Sequence, residues 1–418
     1  MRLNASNLRE TSAALDLACR LTHPADAVLR EFFRARRELG SHDRAFIADT
    51  VFAVLRHKRL LEAIVPDPTP RRLAIASLVK LQGMSIGSLQ PLLAAEDRDW
   101  LLQVRTADTE SLPPAVRLSL PDWLWERLVT QYGEAEAVAL GRALLQPAPL
   151  DLRVNTLIAT RDEVLQALAR DGIQARPTPY SPVGIRLAGK PAINRHPLFT
   201  RGAIEVQDEA SQLLGFLLAP RRREMVVDFC AGAGGKTLLL GALMHNQGRV
   251  YAFDVSDKRL NSLKPRLKRS QLSNVHPQRL ASENDTRVRR LAGKIDRILV
   301  DAPCSGLGTL RRNPDMKWRQ SPQAVAELKA KQRLILWSAA TLAKPGARLV
   351  YATCSLLREE NEDIVEEFLA THPGFRSVDC QEVLDAQRID LPTGPLFRTY
   401  PHRHGTDAFF AAVIERQA

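Results

Sequence analysis

From Met225 to the C-terminus, apolar strand cores alternate with helical stretches, and no other feature of the chain limits its fold as tightly. "EMVVDFCAG" reads as a strand, "KTLLLGALMHN" as a helix, "RVYAFDVS" as a strand and "DKRLNSLKPRLKRSQL" as a helix. "VHPQRLA", "DRILVDAPCSG", the long helix "PQAVAELKAKQRLILWSAATLA" and "ARLVYATCS" continue the pattern. Strand cores of uninterrupted Val, Ile and Leu have no wet face, so the sheet they build is parallel and covered by helices on both sides. The expected fold class is α/β: a Rossmann-like domain with a mostly parallel, doubly wound sheet over residues 216–418.

At 418 residues the chain is long enough for two or three domains, and the pattern upstream differs. "LRETSAALDLACRL" and "HDRAFIADTVFAVLRHKRLLEAIV" carry apolar residues at three- and four-residue spacing, "PDPTPRR" interrupts, and "LAIASLVKLQ" resumes. An all-helical domain is expected over 1–105. A proline-punctuated helical connector follows over 106–145. "LDLRVNTL" and "VGIRLAG" read as strands flanking the helix "TRDEVLQALARDG", which gives a small α+β module over 146–215.

Lys and Arg total 59 against 47 Asp and Glu, a net charge of +12. Such an excess suits a polyanionic partner, because each phosphate contact releases condensed counterions. A generally Arg-rich proteome would give the same balance, and the clusters "RARR" and "RHKR" read equally well as solvated helix faces or phosphate contacts. No apolar run reaches the roughly 18 residues of a membrane span, and the N-terminus has no signal-peptide pattern. The expectation is a cytoplasmic protein without membrane contact. The cysteines Cys19, Cys230, Cys304, Cys354 and Cys380 are scattered without a C-x-x-C pair, which argues against disulfides and against a metal site.

"DFCAGAGGKT" (228–237) joins the first strand of the alternating region to its first helix, where a glycine-rich turn lets backbone approach a ligand. A triphosphate loop would need Gly five residues before Gly235, and Cys230 stands there. A dinucleotide G-x-G-x-x-G would need Gly where Thr237 stands. S-adenosylmethionine fits better, with an acid at the end of the second strand for the ribose hydroxyls. Asp254 occupies that place, although its 26-residue offset from Asp228 also suits a nicotinamide ribose. A helix-capping turn without a ligand is the plain alternative.

Two further strand ends, "DAPCSG" and "YATCS", deliver Cys304 and Cys354. Either thiol alone is most simply a small buried hydrophobe, the reading that also covers Cys19 and Cys380. Two at parallel-strand ends share one crevice. Carbon 5 of cytosine is a poor nucleophile until a thiolate adds at carbon 6. A methyl donor, a group for the ring's N3 and amino edge, and a base for the ring proton complete that chemistry. Asp301 is the candidate polar handle and Cys304 or Cys354 the thiolate. Cys230, inside the glycine loop, is expected to pack against the cofactor. The acids of "LREENE" are expected to support a helix start through its dipole.

At "DFCAGAGGKT", "AFDVSDKRL", "DRILVDAPCSGLGTLRRNPDMKW", "LVYATCSLLREENE" and "HGTDAFFAAVIER" the chain resembles the RNA 5-methylcytosine methyltransferase family (the Sun/Nop2/NSUN group), in particular its bacterial 16S rRNA branch. "EVQDEASQL" and "LDLRVNTL" extend the resemblance through the middle module. "HDRAFIADTVFAVLRHKRLLE" resembles a NusB-like RNA-binding domain. The resemblance implies an S-adenosylmethionine-dependent enzyme acting as a monomer on RNA, with 16S rRNA the expected substrate and tRNA the alternative; a non-catalytic RNA binder is the competing class. It implies Cys354 as the nucleophile and Cys304 as the thiol assisting release, with Asp301 between cofactor and cytosine and Lys236 supporting that acid. It places the cofactor on the backbone of Cys230, Ala231, Gly232, Ala233, Gly234, Gly235 and Lys236, with Asp254 and Arg259 near the ribose. Ala233 stands where the family has proline. The adenine-side acid would be Asp285, with Ser282 the rival by spacing.

Overall fold

Backbone contacts in the computed structural model, which describes residues 4–94 and 97–417, divide the chain into two units. One comprises residues up to Pro147 together with Thr309–Pro322; the other comprises Ala148–Gly308 and Gln323 onward.

The first unit is helical. Helices Ala5–Cys19, Ala25–Ala35, Ser41–Arg56 and Pro70–Lys80 turn their apolar faces inward and bury Leu15, Ile47, Leu55, Ile75 and Leu78 completely. The last carbonyls of a helix have no partner within it. Those of Ser41–Arg56 are met from far along the chain: Trp318 Nε1 donates to the Leu55 carbonyl and Lys317 Nζ to that of Arg56, each at 2.8 Å. Arg56 Nη2 in turn donates to the Arg311 carbonyl at 2.9 Å. Burial, and then the charge of Arg56, push Lys317 well below its ordinary pKa. The stretch "RRNPDMKW", expected with the α/β half, thus packs within the helical unit.

The second unit holds two sheets. In the smaller, β1 (Leu150–Val154), β2 (Ala175–Pro177), β3 (Gly184–Leu187) and β4 (Ile204–Val206) run antiparallel in the order β2-β3-β1-β4. A capping box in which Thr160 and Glu163 exchange hydrogen bonds starts its helix, Arg161–Arg170.

The larger sheet contains β5 (Met225–Asp228), β6 (Arg249–Asp254), β7 (Val275–Arg279), β8 (Ile295–Asp301) and β9 (Ala343–Thr353), all parallel. β10 (Phe375–Val378), β11 (Phe397–Thr399) and β12 (Phe409–Arg416) complete it in antiparallel pairing, giving the order β10-β12-β9-β8-β5-β6-β7 with β11 on β12. The sheet is therefore mixed, with the expected parallel block at one side. Successive residues alternate between two cores: Val226, Ala252, Leu299 and Val350 face one, and Val227, Phe253, Ile298 and Tyr351 the other. Both faces are covered. The chain runs outward from β5 through β6 and β7, then returns to β8 beside β5. This reversal leaves a crevice at the carboxyl ends of the strands.

Candidate active site

Asp228, Asp254, Asp301 and Thr353 close β5, β6, β8 and β9 at that edge. Between Asp228 and the helix Gly235–Leu243 the glycine loop turns through two left-handed positions, Gly232 (φ +57) and Gly234 (φ +82). A β-carbon on Gly234 would lie 2.1 Å from Leu263 Cδ1, so only glycine fits there. At Gly232 the nearest atom to such a carbon is the Cys230 carbonyl at 4.0 Å, so this side of the loop is open.

The loop is braced on several sides. Gly232 N donates to Asp254 Oδ2 at 2.9 Å, and Asp254 Oδ1 accepts from Ser256 N at 2.7 Å. Arg259 Nη1 lies 3.9 Å from Asp254 on an exposed side chain. Arg266 Nη1 donates to the Ala233 carbonyl at 2.7 Å and is paired with Glu205 of β4. Arg153 of β1, almost fully buried, donates to the Gly235 carbonyl at 2.5 Å. These two arginines were not anticipated from sequence. The position lacking the family's proline is held from outside the loop.

Asp228 is buried and accepts from Thr237 Oγ1 at 2.6 Å, while its Oδ1 has no partner among the described residues. Burial pushes it up to about 7, with Asp301 adding to the shift and the Thr237 bond opposing it. Burial likewise raises the Cys230 thiol well above its ordinary value, and the thiol packs against the core with Phe229 and Tyr251. Lys236, the second residue of the helix, reaches back so that Nζ lies 2.6 Å from Asp301 Oδ2. Burial alone would lower Lys236, but the Asp301 charge and hydrogen bond outweigh it and raise the pKa.

The thiols of Cys304 and Cys354 meet: Sγ to Sγ is 3.5 Å. The turns carrying them are tied by backbone, with Gly308 N donating to the Cys354 carbonyl at 2.8 Å and Ala408 N to the Gly308 carbonyl at 3.0 Å. The hydrogen bond to Cys354, burial, and the charges of Cys354 and Glu360 together raise Cys304 well above its ordinary value. Cys19 and Cys380 pack with hydrophobic cores, as expected, and burial pushes each up to about 11.

Glu360 corrects the reading of the acidic stretch after Cys354. The helix starts at Glu362, and Glu362 and Asp363 occupy its first turn. Glu360, in the 3-10 turn before it, is completely buried and accepts from Ser305 and Ser355, the residues following the two cysteines. Glu360 lies two positions before the helix, in a turn whose other residues, Arg358 and Glu359, are also charged, so nothing local marked it. Asp285 sits after β7 as the cap of Thr286–Arg290, accepting from Ala281 N at 2.9 Å and Arg287 N at 2.8 Å. Ser282 Oγ accepts from Asn284 N at 3.3 Å in the same loop.

Residues 215–415 match the family described as 16S rRNA methyltransferase RsmB/F, and residues 120–194 match the ferredoxin-like domain of RsmF/B-like methyltransferases. The probable ribosomal RNA small subunit methyltransferase B of Synechocystis is 32% identical across 91% of this chain and 93% of its own length. The chain belongs to the RsmB/F family. The ribosomal RNA small subunit methyltransferase B of Erwinia tasmaniensis is 34% identical over 81% of this chain and 74% of its own. Among solved structures, a methyltransferase homolog from Pyrococcus horikoshii is 29% identical with a TM-score of 0.64 over 74% of this chain and all of that one. NSun6 from the same organism, 22% identical over 71% of this chain and 98% of its own, shares the fold with a TM-score of 0.63.

As an RsmB/F member the protein is an S-adenosylmethionine-dependent methyltransferase. The residues present fit that group. The loop offers open backbone at Gly232, a buried acceptor without a partner at Asp228 Oδ1, and an acid at the end of β6. Among the described residues no cluster suited to a metal ion occurs, and no helix is long and apolar enough to cross a membrane.

Proposed function

We propose that this RsmB/F member methylates carbon 5 of a cytosine in 16S rRNA through a covalent adduct between Cys354 and carbon 6. The observation that carries the reading is the pair of thiols 3.5 Å apart at the ends of adjacent strands, in the crevice that also holds the Lys236–Asp301 pair. A simple methyltransferase acting on an exocyclic amine or hydroxyl needs no thiol, and an RNA binder needs neither.

Cys354 Sγ, as thiolate, adds to carbon 6, and the displaced electron pair moves into the ring. Asp301 accepts from the ring's amino edge, and the Lys236 cation that holds it offsets the negative charge building toward N3. S-adenosylmethionine supplies the methyl group as an electrophilic carbon on a sulfonium. After transfer the proton on carbon 5 leaves to a base, the bond from carbon 6 to Sγ breaks, and its electron pair returns to Cys354. Cys304 stands beside that sulfur and assists release. The backbone from Cys230 to Lys236 holds the methionine end, with Asp254 and Arg259 on the ribose and Asp285 on the adenine side. The helical unit, as a NusB-like domain over 1–105, and the small module over 146–215 grip RNA, and the target base leaves its stack to reach the thiols.

The test is incubation with labelled methyl donor and unmodified 16S rRNA, tRNA or total RNA, followed by nucleoside analysis. The reading expects label in 16S rRNA as 5-methylcytidine. Label only in tRNA overturns the substrate, and label at another atom overturns the chemistry.

A further inference from the structure

The glycine loop has little stiffness of its own. Gly234 N donates to the Ala231 carbonyl at 2.8 Å, which closes a four-residue turn from Ala231 to Gly234. Gly232, its first central residue, is left-handed (φ +57) and Ala233, its second, is not, the pattern of a type II′ turn. The second position of such a turn takes a φ of about −80°, close to the value that proline fixes, and alanine leaves it free. Among the described residues the Ala233 N–H donates to nothing.

The loop is held instead from outside. Arg266, on the helix Asp257–Ser270 that follows β6, gives Nε and Nη2 to Glu205 Oε2 at 3.2 and 3.0 Å and Nη1 to the Ala233 carbonyl at 2.7 Å. A guanidinium is planar, so the carboxylate that holds one edge fixes where the other points. Glu205, on β4 and almost fully buried, is itself kept in place by Arg269, whose Nη2 lies 2.5 Å from Oε1. Arg153 of β1 divides its Nη1 between the Gly235 carbonyl and Gln207 Oε1. The end of the loop lies inside this set: a β-carbon on Gly235 would stand 3.8 Å from Gln207 Nε2 and 3.9 Å from Arg266 Nη2. Arg153, Glu205 and Gln207 sit on or beside the small sheet, outside the strands that carry the crevice.

We propose that Arg266, aimed by Glu205, is a positioning residue for S-adenosylmethionine: it fixes the Ala233 peptide in the orientation that the methionine end requires, as a proline at 233 would do from within the loop. Arg153 fixes the Gly235 end in the same way, and the small sheet thereby sets cofactor affinity. A loop held in its bound shape beforehand loses little freedom on binding. The inference rests on the proposed function only in taking the loop from Cys230 to Lys236 as the place of the methionine end; it requires neither RNA nor the two thiols.

Titration calorimetry of S-adenosylmethionine into the full-length protein tests it. Arg266→Met keeps the apolar stem and leaves Glu205 paired with Arg269. It should weaken binding about tenfold, the loss expected of one hydrogen bond from a charged group. Ala233→Pro in the same chain should recover most of that loss, because the ring fixes the φ of a residue whose N–H makes no bond; a merely structural role for Arg266 would show no such rescue. Arg266→Lys keeps the charge without the fork and should also bind several-fold more weakly, with a thermal midpoint near that of wild type. Wild-type affinity in a folded Arg266→Met protein, or in Arg266→Lys where Arg266→Met does not fold, overturns the inference. So does an Arg266→Met/Ala233→Pro protein that binds no better than Arg266→Met. Gly232→Val, which fills the open side of the loop, separates this from the reading beneath it and should abolish binding. If that protein binds as wild type does, the loop is not the cofactor's place and the inference fails with that assignment. If it loses binding while Arg266→Met does not, the role of Arg266 fails alone.

Discussion

Asp228 is the carboxyl with the clearest consequence for pH. Its folded-state value, raised to about 7, lies above that of the unfolded chain. Between roughly pH 4 and 7 the folded chain therefore holds a proton that the unfolded chain has released. The stabilisation is complete below about pH 4 and is lost as pH rises through 7. Asp228→Asn should thus lose less denaturant resistance between pH 5 and 8 than wild type does; equal losses would mean that Asp228 is ionised throughout. At this scale the sequence disclosed Cys304, Cys354, Asp301 and Lys236, because each follows a strand core or glycine turn whose place in the sheet is fixed by pattern. Glu360 was not legible. In "REENE" three acids look alike, and only the buried serines after the two cysteines distinguish the middle one.

The strands β5 to β9 could be read because each is a continuous apolar run, and a run buried on both faces admits few other structures. What held the loops between them was not readable. Arg153 and Arg266 brace the glycine loop from partners 82 and 33 residues away, and neither belongs to a local motif. The segment around Lys317 lacks a period of its own, and its partners lie 261 and 263 residues upstream. The crossing of the two cysteine turns gives a sharper test. A β-carbon on Gly308 would stand 2.3 Å from the Ala408 carbonyl oxygen and 2.7 Å from that of Cys354, with backbone on both sides and nothing free to yield. Gly308→Ala should cost about 3 kcal/mol in unfolding free energy, in the range of overpacked cores. It should also lower methyl transfer more than cofactor affinity, as measured by titration calorimetry. An unchanged transfer rate would show that the turn can move without consequence.

Over the whole molecule, the excess of Lys and Arg and the assignment to an rRNA methyltransferase family point to binding governed by phosphate contacts. RNA affinity should fall about tenfold or more between 50 and 200 mM salt, because each neutralised phosphate adds roughly −0.7 to −0.9 to the slope of log affinity against log salt. A flat dependence by filter binding would separate the basic charge from RNA recognition. The proposed chemistry turns, above all, on two adjacent thiols with different tasks, and one measurement reaches it directly. The Cys304→Ala and Cys354→Ala proteins are incubated with 16S rRNA and S-adenosylmethionine, then resolved under denaturing conditions. Cys304→Ala should retain a covalent protein–RNA species that Cys354→Ala never forms. An adduct in the Cys354→Ala protein, or none in either while wild type still makes 5-methylcytidine, would contradict it.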